Sequence, residues 1–144
     1  MNVSDVNPPE KCLMNTHYER VRFGDTDAAG IVYYGNYYRW FEAGRAELMR
    51  FGGVPYAQIV DEGLFMPVVE SWCRYQSPAR YDDKLRVVSW VHEMKSASLV
   101  IAHQIFVGDR RVCHGGARLT CVNEVGRVRR IHESIRKIVN EASL

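Results

Sequence analysis

Hydrophobic residues recur at helical spacing in one long stretch of the chain. Over residues 36–51, side chains three or four positions apart are apolar or small, and charged residues lie between them. This pattern predicts one long amphipathic helix. Its predicted buried face carries Trp40, Gly44, Leu48 and Phe51, and its predicted solvated face carries Arg39, Glu42 and Arg50.

The ends of this helix and its central glycine carry further signals. Asn36 is the expected N-cap, and Gly52 and Gly53 can adopt the backbone conformations that end a helix. Gly44 costs about 1 kcal/mol relative to alanine in a helix interior. We expect the compensation to be a close approach of the helix to a flat surface such as a sheet.

Most of the remaining chain shows the short apolar runs that are typical of strands. Tight connections at 95–97 and 108–109 indicate that the last three strands pair in antiparallel fashion. A short helix is expected at 55–62 and a tail helix within 126–144. The predicted strands cover residues 16–23, 65–75, 85–94, 98–107 and 111–124.

Several of these strands carry apolar residues on both faces, as in Val87, Val88, Trp90 and Val91. One long helix covers only one face of a sheet, so a second subunit is expected to bury the other. The sequence therefore predicts a homo-oligomer, either a dimer or a tetramer.

Length and composition predict a single globular domain. The chain has 144 residues, and its 47% hydrophobic content is enough to build a core, which excludes general disorder. The turn-forming start predicts a flexible leader over residues 1–13, followed by the domain over residues 14–144. No segment resembles a signal peptide or a membrane span, so a cytoplasmic location is expected.

Charge and cysteine content narrow the class of partner. The formal net charge of +2, from 19 basic and 17 acidic residues, is too small to favour nucleic acid as a partner. No C-x-x-C pair is present, so neither disulfides nor a structural zinc site is expected. The four cysteines are Cys12, Cys73, Cys113 and Cys121.

The densest cluster of candidate chemistry lies between the first strand and the long helix. Asp25 and Asp27 occur there in a glycine-bounded loop that runs directly into the helix start. Unpaired N–H groups at a helix start can stabilise an oxyanion, and a nearby carboxylate can act as base or nucleophile. Both residues are equally compatible with a plain turn, in which aspartate is common. A calcium loop is disfavoured because Ala29 and Asn36 replace expected ligands.

Three segments together resemble the hotdog-fold thioesterases typified by 4-hydroxybenzoyl-CoA thioesterase and the Tol-Pal-associated thioesterases. These are F-G-D-T-D-A-A-G-I-V-Y-Y-G-N-Y-Y-R-W at 23–40, Y-Q-S-P-A-R-Y-D-D-K-L at 75–85 and K-S-A-S-L-V at 95–100. The resemblance implies an α+β hotdog fold, in which a curved antiparallel sheet wraps a long central helix. It also implies dimers, often paired into tetramers, with active sites at subunit interfaces.

The resemblance assigns roles to individual residues. It implies that Asp27 is the catalytic carboxylate, as nucleophile or general base, and that the Tyr34 backbone N–H polarises the thioester carbonyl. Asp25 then has a structural turn role. Lys95 is expected beside the CoA phosphates, and Glu42 is a candidate for orienting water or substrate, although a solvent-facing acid is the plainer interpretation.

The predicted activity is hydrolysis of an acyl-CoA to free acid and CoA, with no metal or redox cofactor. Tyr34 stands where the Tol-Pal branch usually has histidine, which favours an aromatic or short acyl group. One alternative is a non-catalytic acyl-thioester-binding protein. Another is a hotdog dehydratase, which would need a histidine in the loop, and residues 24–40 contain none. The histidines His17, His92 and His103 fall within predicted strands.

Overall fold

The computed structural model describes residues 6–144. The helices are α1 (Asn36–Phe51), α2 (Tyr56–Asp61) and α3 (Glu133–Ala142), and a short 3-10 turn covers Phe23–Asp25. The strands are β1 (Met14–Arg20), β2 (Leu64–Phe65), β3 (Val68–Tyr75), β4 (Lys84–Met94), β5 (Ser98–Val107), β6 (Arg110–Thr120) and β7 (Val122–Asn123).

The main sheet has the strand order β1-β4-β5-β6-β3, and each neighbouring pair is antiparallel. Strands β2 and β7 form a separate two-stranded sheet. Helix α1 packs against the main sheet and contacts β1, β4 and β5. The predicted α+β hotdog fold and the predicted antiparallel pairing of β4, β5 and β6 are therefore confirmed.

Two predicted strands are each divided into two. The strand predicted at 65–75 is interrupted before Val68, because Pro67 has no N–H to donate to a sheet. The strand predicted at 111–124 is interrupted at Cys121, whose N–H donates to the Ala97 carbonyl instead. These interruptions allow β2 and β7 to pair with each other away from the main sheet.

Helix α1 covers the predicted residues, but its start and one predicted core position differ. Gly35 occupies the N-cap position, and the Asn36 side chain instead donates to the Asp25 carbonyl at 2.8 Å. Phe51 is 63% exposed, so its placement on the buried face was wrong. At the other end, Gly53 has a φ of 84°, as expected for a residue that ends a helix.

Gly44 lies against the sheet, which confirms the close approach that was expected from a glycine in a helix interior. A Cβ at this position would lie 2.5 Å from Ser89 Oγ and 3.0 Å from Val87 Cγ1, both on β4. The sheet therefore approaches α1 more closely than any larger residue would allow. Trp40 and Leu48, one turn to either side, are buried in the interface.

The outer face of the sheet is covered in part by the chain's own N-terminal segment. Val6 and Cys12 pack beside a buried cluster that includes Trp90 and Ala102. Gln104 Nε2 donates to the Val6 carbonyl at 3.2 Å, which ties the segment to β5. This part of the second apolar face is buried without a second subunit. The first five residues of the predicted leader lie outside the described residues.

The C-terminal helix is shorter than the predicted tail and belongs to the main core. Residues 127–132 precede it without helical structure, and α3 begins only after His132, whose side chain accepts the Ser134 N–H. Ile135 and Val139 are buried in the same cluster as Leu48. No helix within residues 6–144 is long and apolar enough to cross a membrane.

His103 is buried between α1 and the sheet. Its ring stacks on Phe41 with centroids 4.7 Å apart, and its Nδ1 lies 2.7 Å from Ser89 Oγ. Its Nε2 has no hydrogen-bond partner among the described residues. Burial, with a smaller contribution from Arg45, lowers the pKa of His103 to about 3 from its ordinary 6.5. The histidine is therefore neutral at physiological pH.

This depressed pKa predicts acid sensitivity of the fold. Below pH 6.5 the unfolded chain binds a proton at His103 that the folded chain does not bind, so stability falls as pH drops from 6.5 towards 3. Between pH 7.5 and 5.0 the contribution of His103 is about 2 kcal/mol, at about 1.4 kcal/mol per pH unit below 6.5. Urea denaturation at both pH values should show a smaller loss for His103→Gln than for wild type. The exposed His92→Gln should behave like wild type.

Candidate active site

The loop between β1 and α1 is held by a series of backbone hydrogen bonds. The Asp27 N–H donates to the Ile31 carbonyl at 2.9 Å, and the Gly30 N–H donates back to the Asp27 carbonyl at 2.9 Å. Gly30 has a φ of 79°, which permits this tight reversal. The Val32 N–H donates to the Ala79 carbonyl, which fixes the loop beside the segment that leads into β4.

Asp25 has the contacts of a structural residue. It is 8% exposed, and its carboxylate accepts the Arg22 N–H at 2.8 Å and the Arg39 guanidinium at 2.6 Å. Its backbone carbonyl accepts the Tyr33 N–H and the Asn36 side chain. Because both carboxylate oxygens are engaged, Asp25 joins the loop to α1 and is not available to a substrate.

Asp27 is exposed and only partly engaged. One carboxylate oxygen, Oδ1, accepts the Ala29 N–H at 2.9 Å, which is the geometry of an aspartate turn. The other oxygen makes no hydrogen bond to any residue that the structure describes. The side chain is therefore oriented by the loop while one oxygen can still reach a substrate or a water molecule.

The start of α1 offers unpaired backbone donors close in sequence to this loop. Neither the Tyr34 N–H nor the Gly35 N–H donates to a backbone carbonyl within residues 6–144. No side chain caps the helix, and its first turn contains no acidic residue. The positive end of the helix dipole is thus free to stabilise negative charge on a bound carbonyl.

Aromatic residues surround the helix start and hold Tyr34 in place. The Tyr34 ring lies 4.7 Å from Tyr33 and 6.1 Å from Tyr75, measured between centroids. The Tyr75 hydroxyl donates to the Tyr34 carbonyl at 3.2 Å. Burial is the main cause that raises the pKa of Tyr75, so its hydroxyl stays protonated as a donor. Sequence reasoning missed Tyr75 because its role depends on β3 lying beside the helix start.

The other predicted site residues do not lie at this loop in the same chain. Lys95 directly follows the last residue of β4. The Asp27 loop instead contacts the segment that precedes the first residue of β4, at the opposite end of the strand. A strand of this length spans about 35 Å at 3.3 Å per residue. Glu42 is exposed on α1, about 10 Å along the helix axis from Gly35. The structure thus brings Asp27 and Tyr34 into one region and leaves Lys95 and Glu42 apart from it.

The basic residues near the C-terminus are largely solvated. Arg127, Arg129 and Arg130 are exposed. Arg136 instead donates to the carbonyls of Lys95 and Ser96 at 3.2 Å each, so it braces the turn between β4 and β5. These two hydrogen bonds hold the backbone of Lys95 in place.

The hotdog fold and an oriented carboxylate beside an unpaired helix start define a candidate acyl-transfer or hydrolase site. Comparison with known proteins identifies the class. The model of the thioesterase-like superfamily matches residues 21–139. The chain belongs to this superfamily. The predicted class of enzyme, a thioester hydrolase acting on acyl-CoA, is confirmed.

Individual relatives agree with this assignment. The 4-hydroxybenzoyl-CoA thioesterase of Pseudomonas sp. (strain CBS-3) is 34% identical over 93 residues, which cover 62% of this chain and 66% of that protein. A gentisyl-coenzyme A thioesterase structure matches with a TM-score of 0.79 and 30% identity, covering 85% of this chain and 99% of that one. A hypothetical protein from Aquifex aeolicus matches with a TM-score of 0.83 and 30% identity, covering 87% and 98%.

Proposed function

We propose that this enzyme hydrolyses an aromatic or short-chain acyl-CoA to the free acid and CoA, with Asp27 as the catalytic carboxylate. The observation that supports the proposal most directly is the free Asp27 oxygen in a loop that leads into an uncapped helix start. The Tyr34 N–H is the proposed donor to the thioester oxygen. Asp27 either attacks the carbonyl, releasing CoA as thiolate and forming an anhydride that water then cleaves to the free acid, or removes a proton from a water that attacks the carbonyl and displaces the CoA thiolate.

The side chains around the helix start favour an aromatic acyl group. Tyr33 and Tyr34 are 48% and 61% exposed, and Tyr75 is 44% exposed, so three aromatic rings are available for contact. Aromatic pairs gain about 0.5–1.5 kcal/mol beyond the burial of area. Two of the similar proteins are thioesterases named for 4-hydroxybenzoyl-CoA and gentisyl-CoA.

A thioesterase screen tests the substrate class. Release of CoA thiol is measured with benzoyl-CoA, 4-hydroxybenzoyl-CoA, acetyl-CoA and palmitoyl-CoA under identical conditions. The proposal expects the highest kcat/KM for the aromatic or short-chain substrates. A preference for palmitoyl-CoA would contradict it, as would binding of all four substrates without turnover.

Lys95 is the proposed contact for the phosphates of CoA. Its ammonium lies 3.8 Å from Glu93 and is otherwise exposed, so it can bind a phosphate without losing a strong partner. Lys95→Ala should raise KM for full acyl-CoA by about tenfold, the loss of roughly one charge-assisted contact. A truncated thioester without the nucleotide should show no such change. Equal effects on both substrates would remove Lys95 from the CoA site.

Because Lys95 and the Asp27 loop lie at opposite ends of β4, we place the complete site at an interface between two copies of the chain. Mixed oligomers of Lys95→Ala and Asp27→Asn subunits would then contain some sites with both residues intact. Activity of the refolded mixture above the sum of the separate variants supports a shared site. Strictly additive activity, or a monomer by light scattering, contradicts it.

Glu42 has a supporting role in this proposal, in orienting water or substrate bound by a neighbouring copy. We also place the enzyme in the cytoplasm. All four cysteines are free, which is typical of a reducing compartment.

A further inference from the structure

Arg80 lies in the segment that leads into β4, directly beside the Asp27 loop. Its backbone N–H donates to a carboxylate oxygen of Asp83 at 2.8 Å, so the turn fixes its backbone. Its side chain is exposed and makes no hydrogen bond, ion pair or ring contact within residues 6–144. An arginine is charged at neutral pH. The protein therefore presents an unused guanidinium beside the candidate catalytic carboxylate.

Three short segments pair side by side at this place. Thr26 and Val32 form an antiparallel bridge, and so do Ile31 and Arg80. The Asp27 N–H donates to the Ile31 carbonyl at 2.9 Å, which places those two residues opposite each other. Asp27, Ile31 and Arg80 thus form one row across the three segments.

The side chains of this row point to the same face, because directly opposite residues in paired strands share a face. The neighbouring row consists of Thr26, Val32 and Ala79, of which Val32 is 4% and Ala79 0% exposed. Successive residues of a strand alternate between faces, so the row of Asp27 and Arg80 faces outward. Both residues are exposed, in agreement with this orientation.

The spacing along the row leaves room for a substrate group. Directly opposite residues have Cβ atoms about 4.5–5.5 Å apart, so two steps separate the Cβ atoms of Asp27 and Arg80 by about 10 Å. No ion pair joins the two side chains in the described part of the chain. Because the arginine side chain is long, the remaining gap fits the few atoms of a thioester. The half-buried Ile31 lies between the two and offers an apolar surface.

The acids near Arg80 are engaged elsewhere. The Asp83 carboxylate accepts the backbone N–H of Arg80, and Asp82 lies 4.0 Å from the Arg20 guanidinium. Asp25 is buried in its own ion pair with α1. None of these carboxylates forms an ion pair with the Arg80 side chain among the described residues. The positive charge is therefore available to a substrate.

The proposed reaction places negative charge on two atoms of the thioester. One is the carbonyl oxygen, for which the Tyr34 N–H is the proposed donor. The other is the sulfur, because the carbon–sulfur bond breaks with both electrons leaving on the sulfur. This holds whether the new bond to carbon comes from Asp27 or from a water whose proton Asp27 accepts. An alkyl thiol such as cysteine has a pKa of about 8.5, so a nearby cation favours its thiolate at neutral pH.

We propose that Arg80 is a further catalytic residue, which donates hydrogen bonds to the thioester sulfur as CoA leaves as a thiolate. The proposal rests on the proposed role of Asp27 on the same outward face. The guanidinium keeps its proton throughout and stabilises the developing charge. The thiolate takes a proton from solvent after it has left, and the proton that Asp27 accepts in the water route returns to solvent.

A series of benzoyl thioesters with different leaving groups tests the proposal on the full chain. The leaving groups are CoA, N-acetylcysteamine and 4-nitrothiophenol. The first two are alkyl thiols, whereas nitrothiophenol is a stronger acid whose thiolate leaves more readily without help. Arg80→Gln should lower kcat/KM by about 10- to 100-fold for both alkyl thioesters, as expected for loss of a hydrogen bond to a charged group. The loss for the nitrothiophenyl thioester should be less than about threefold.

Three further measurements control this comparison. Arg80→Lys keeps a positive charge and should lose less activity on the alkyl thioesters than Arg80→Gln does. Arg50→Gln removes the same charge from the exposed far end of α1 and should leave all three rates unchanged. Urea denaturation of Arg80→Gln should match wild type, because Asp83 binds the backbone of Arg80 and not its side chain. Should Arg80→Gln not fold, Arg80→Met gives the same comparison.

Several results would overturn the role of Arg80. Equal losses for all three thioesters would mean that the side chain only supports the loop or, with a changed oligomeric state, a contact between copies. A loss confined to the CoA thioester would make Arg80 a contact for the CoA phosphates. Unchanged rates would show that the guanidinium is not used.

The role of Asp27 is tested separately with the same substrates. Full activity of Asp27→Asn, together with the expected dependence of Arg80→Gln on the leaving group, would contradict the proposed role of Asp27 and keep that of Arg80. Failure of wild type to hydrolyse any of the three thioesters would contradict both.

Discussion

Asp27→Asn is expected to lower kcat by about 10²–10⁴, the usual contribution of a positioned acid or base. An amide nearly matches the shape of the carboxylate and can keep the hydrogen bond from the Ala29 N–H. It can neither attack a carbonyl nor accept a proton from water at neutral pH. The free energy of unfolding should therefore change little, because the side chain is exposed.

Two other aspartates provide controls for this measurement. Asp109 lies in the exposed turn between β5 and β6, so Asp109→Asn should alter neither activity nor stability. Asp25→Asn should cost far less activity than Asp27→Asn in the molecules that remain folded. It should instead lower the free energy of unfolding by about 1–3 kcal/mol, because a buried charged acceptor of the Arg39 guanidinium is lost.

The outcome separates the roles of the two acids. If Asp27→Asn kept near-normal turnover while Asp25→Asn abolished turnover without unfolding, the assignment of Asp27 as the catalytic carboxylate would be wrong. If both variants kept full activity, the loop would be a structural turn and the catalytic carboxylate would lie elsewhere. Steady-state kinetics and urea denaturation on the same preparations distinguish these cases.

The sequence was informative where local pattern and tertiary structure agree. Helix α1 was predicted within one residue of its observed bounds, because its apolar period is long and two glycines follow it. The strands β4 and β5 were predicted within one residue. The position of Asp25 and Asp27 in a loop between a strand and the long helix was also predicted, because both elements are close to them in the sequence. Each of these features could be predicted from a short continuous stretch of the sequence.

The sequence failed where a residue's role depends on contacts between distant segments. Asn36 looks like an N-cap, yet its side chain is used to hold the Asp25 carbonyl. The predicted leader gave no sign that Val6 would lie on the outer sheet face.

Gly44→Ala is expected to destabilise the fold, although helix propensity alone predicts the opposite. Alanine in place of glycine inside a helix stabilises by about 1 kcal/mol. The added Cβ would stand 2.5 Å from Ser89 Oγ, a separation that requires the serine to move. Because Val87 Cγ1 lies 3.0 Å from the same point, the helix cannot shift freely to make room.

The cost arises mainly from the hydrogen bond that Ser89 would lose. Among the described residues, its hydroxyl is the only hydrogen-bond partner of the buried His103 ring, at 2.7 Å from Nδ1, and Nε2 has none. Leaving a buried polar group unsatisfied costs about 1–3 kcal/mol, and overpacking a close interface adds about 1–3 kcal/mol. We therefore expect a net loss of about 2 kcal/mol or more in the free energy of unfolding, measured by urea denaturation at pH 7.5.

Gly24→Ala is the matched control, since a Cβ there would meet nothing within 4 Å. It should change the free energy of unfolding by less than about 0.5 kcal/mol. A double variant that also carries Ser89→Ala tests the mechanism, because removing the hydroxyl removes the clash. If the clash is the cause, Gly44→Ala should cost less in the Ser89→Ala background than in wild type. A stabilised Gly44→Ala protein would show that α1 moves away from β4 at little cost, which the close contact of Gly44 with Val87 and Ser89 argues against.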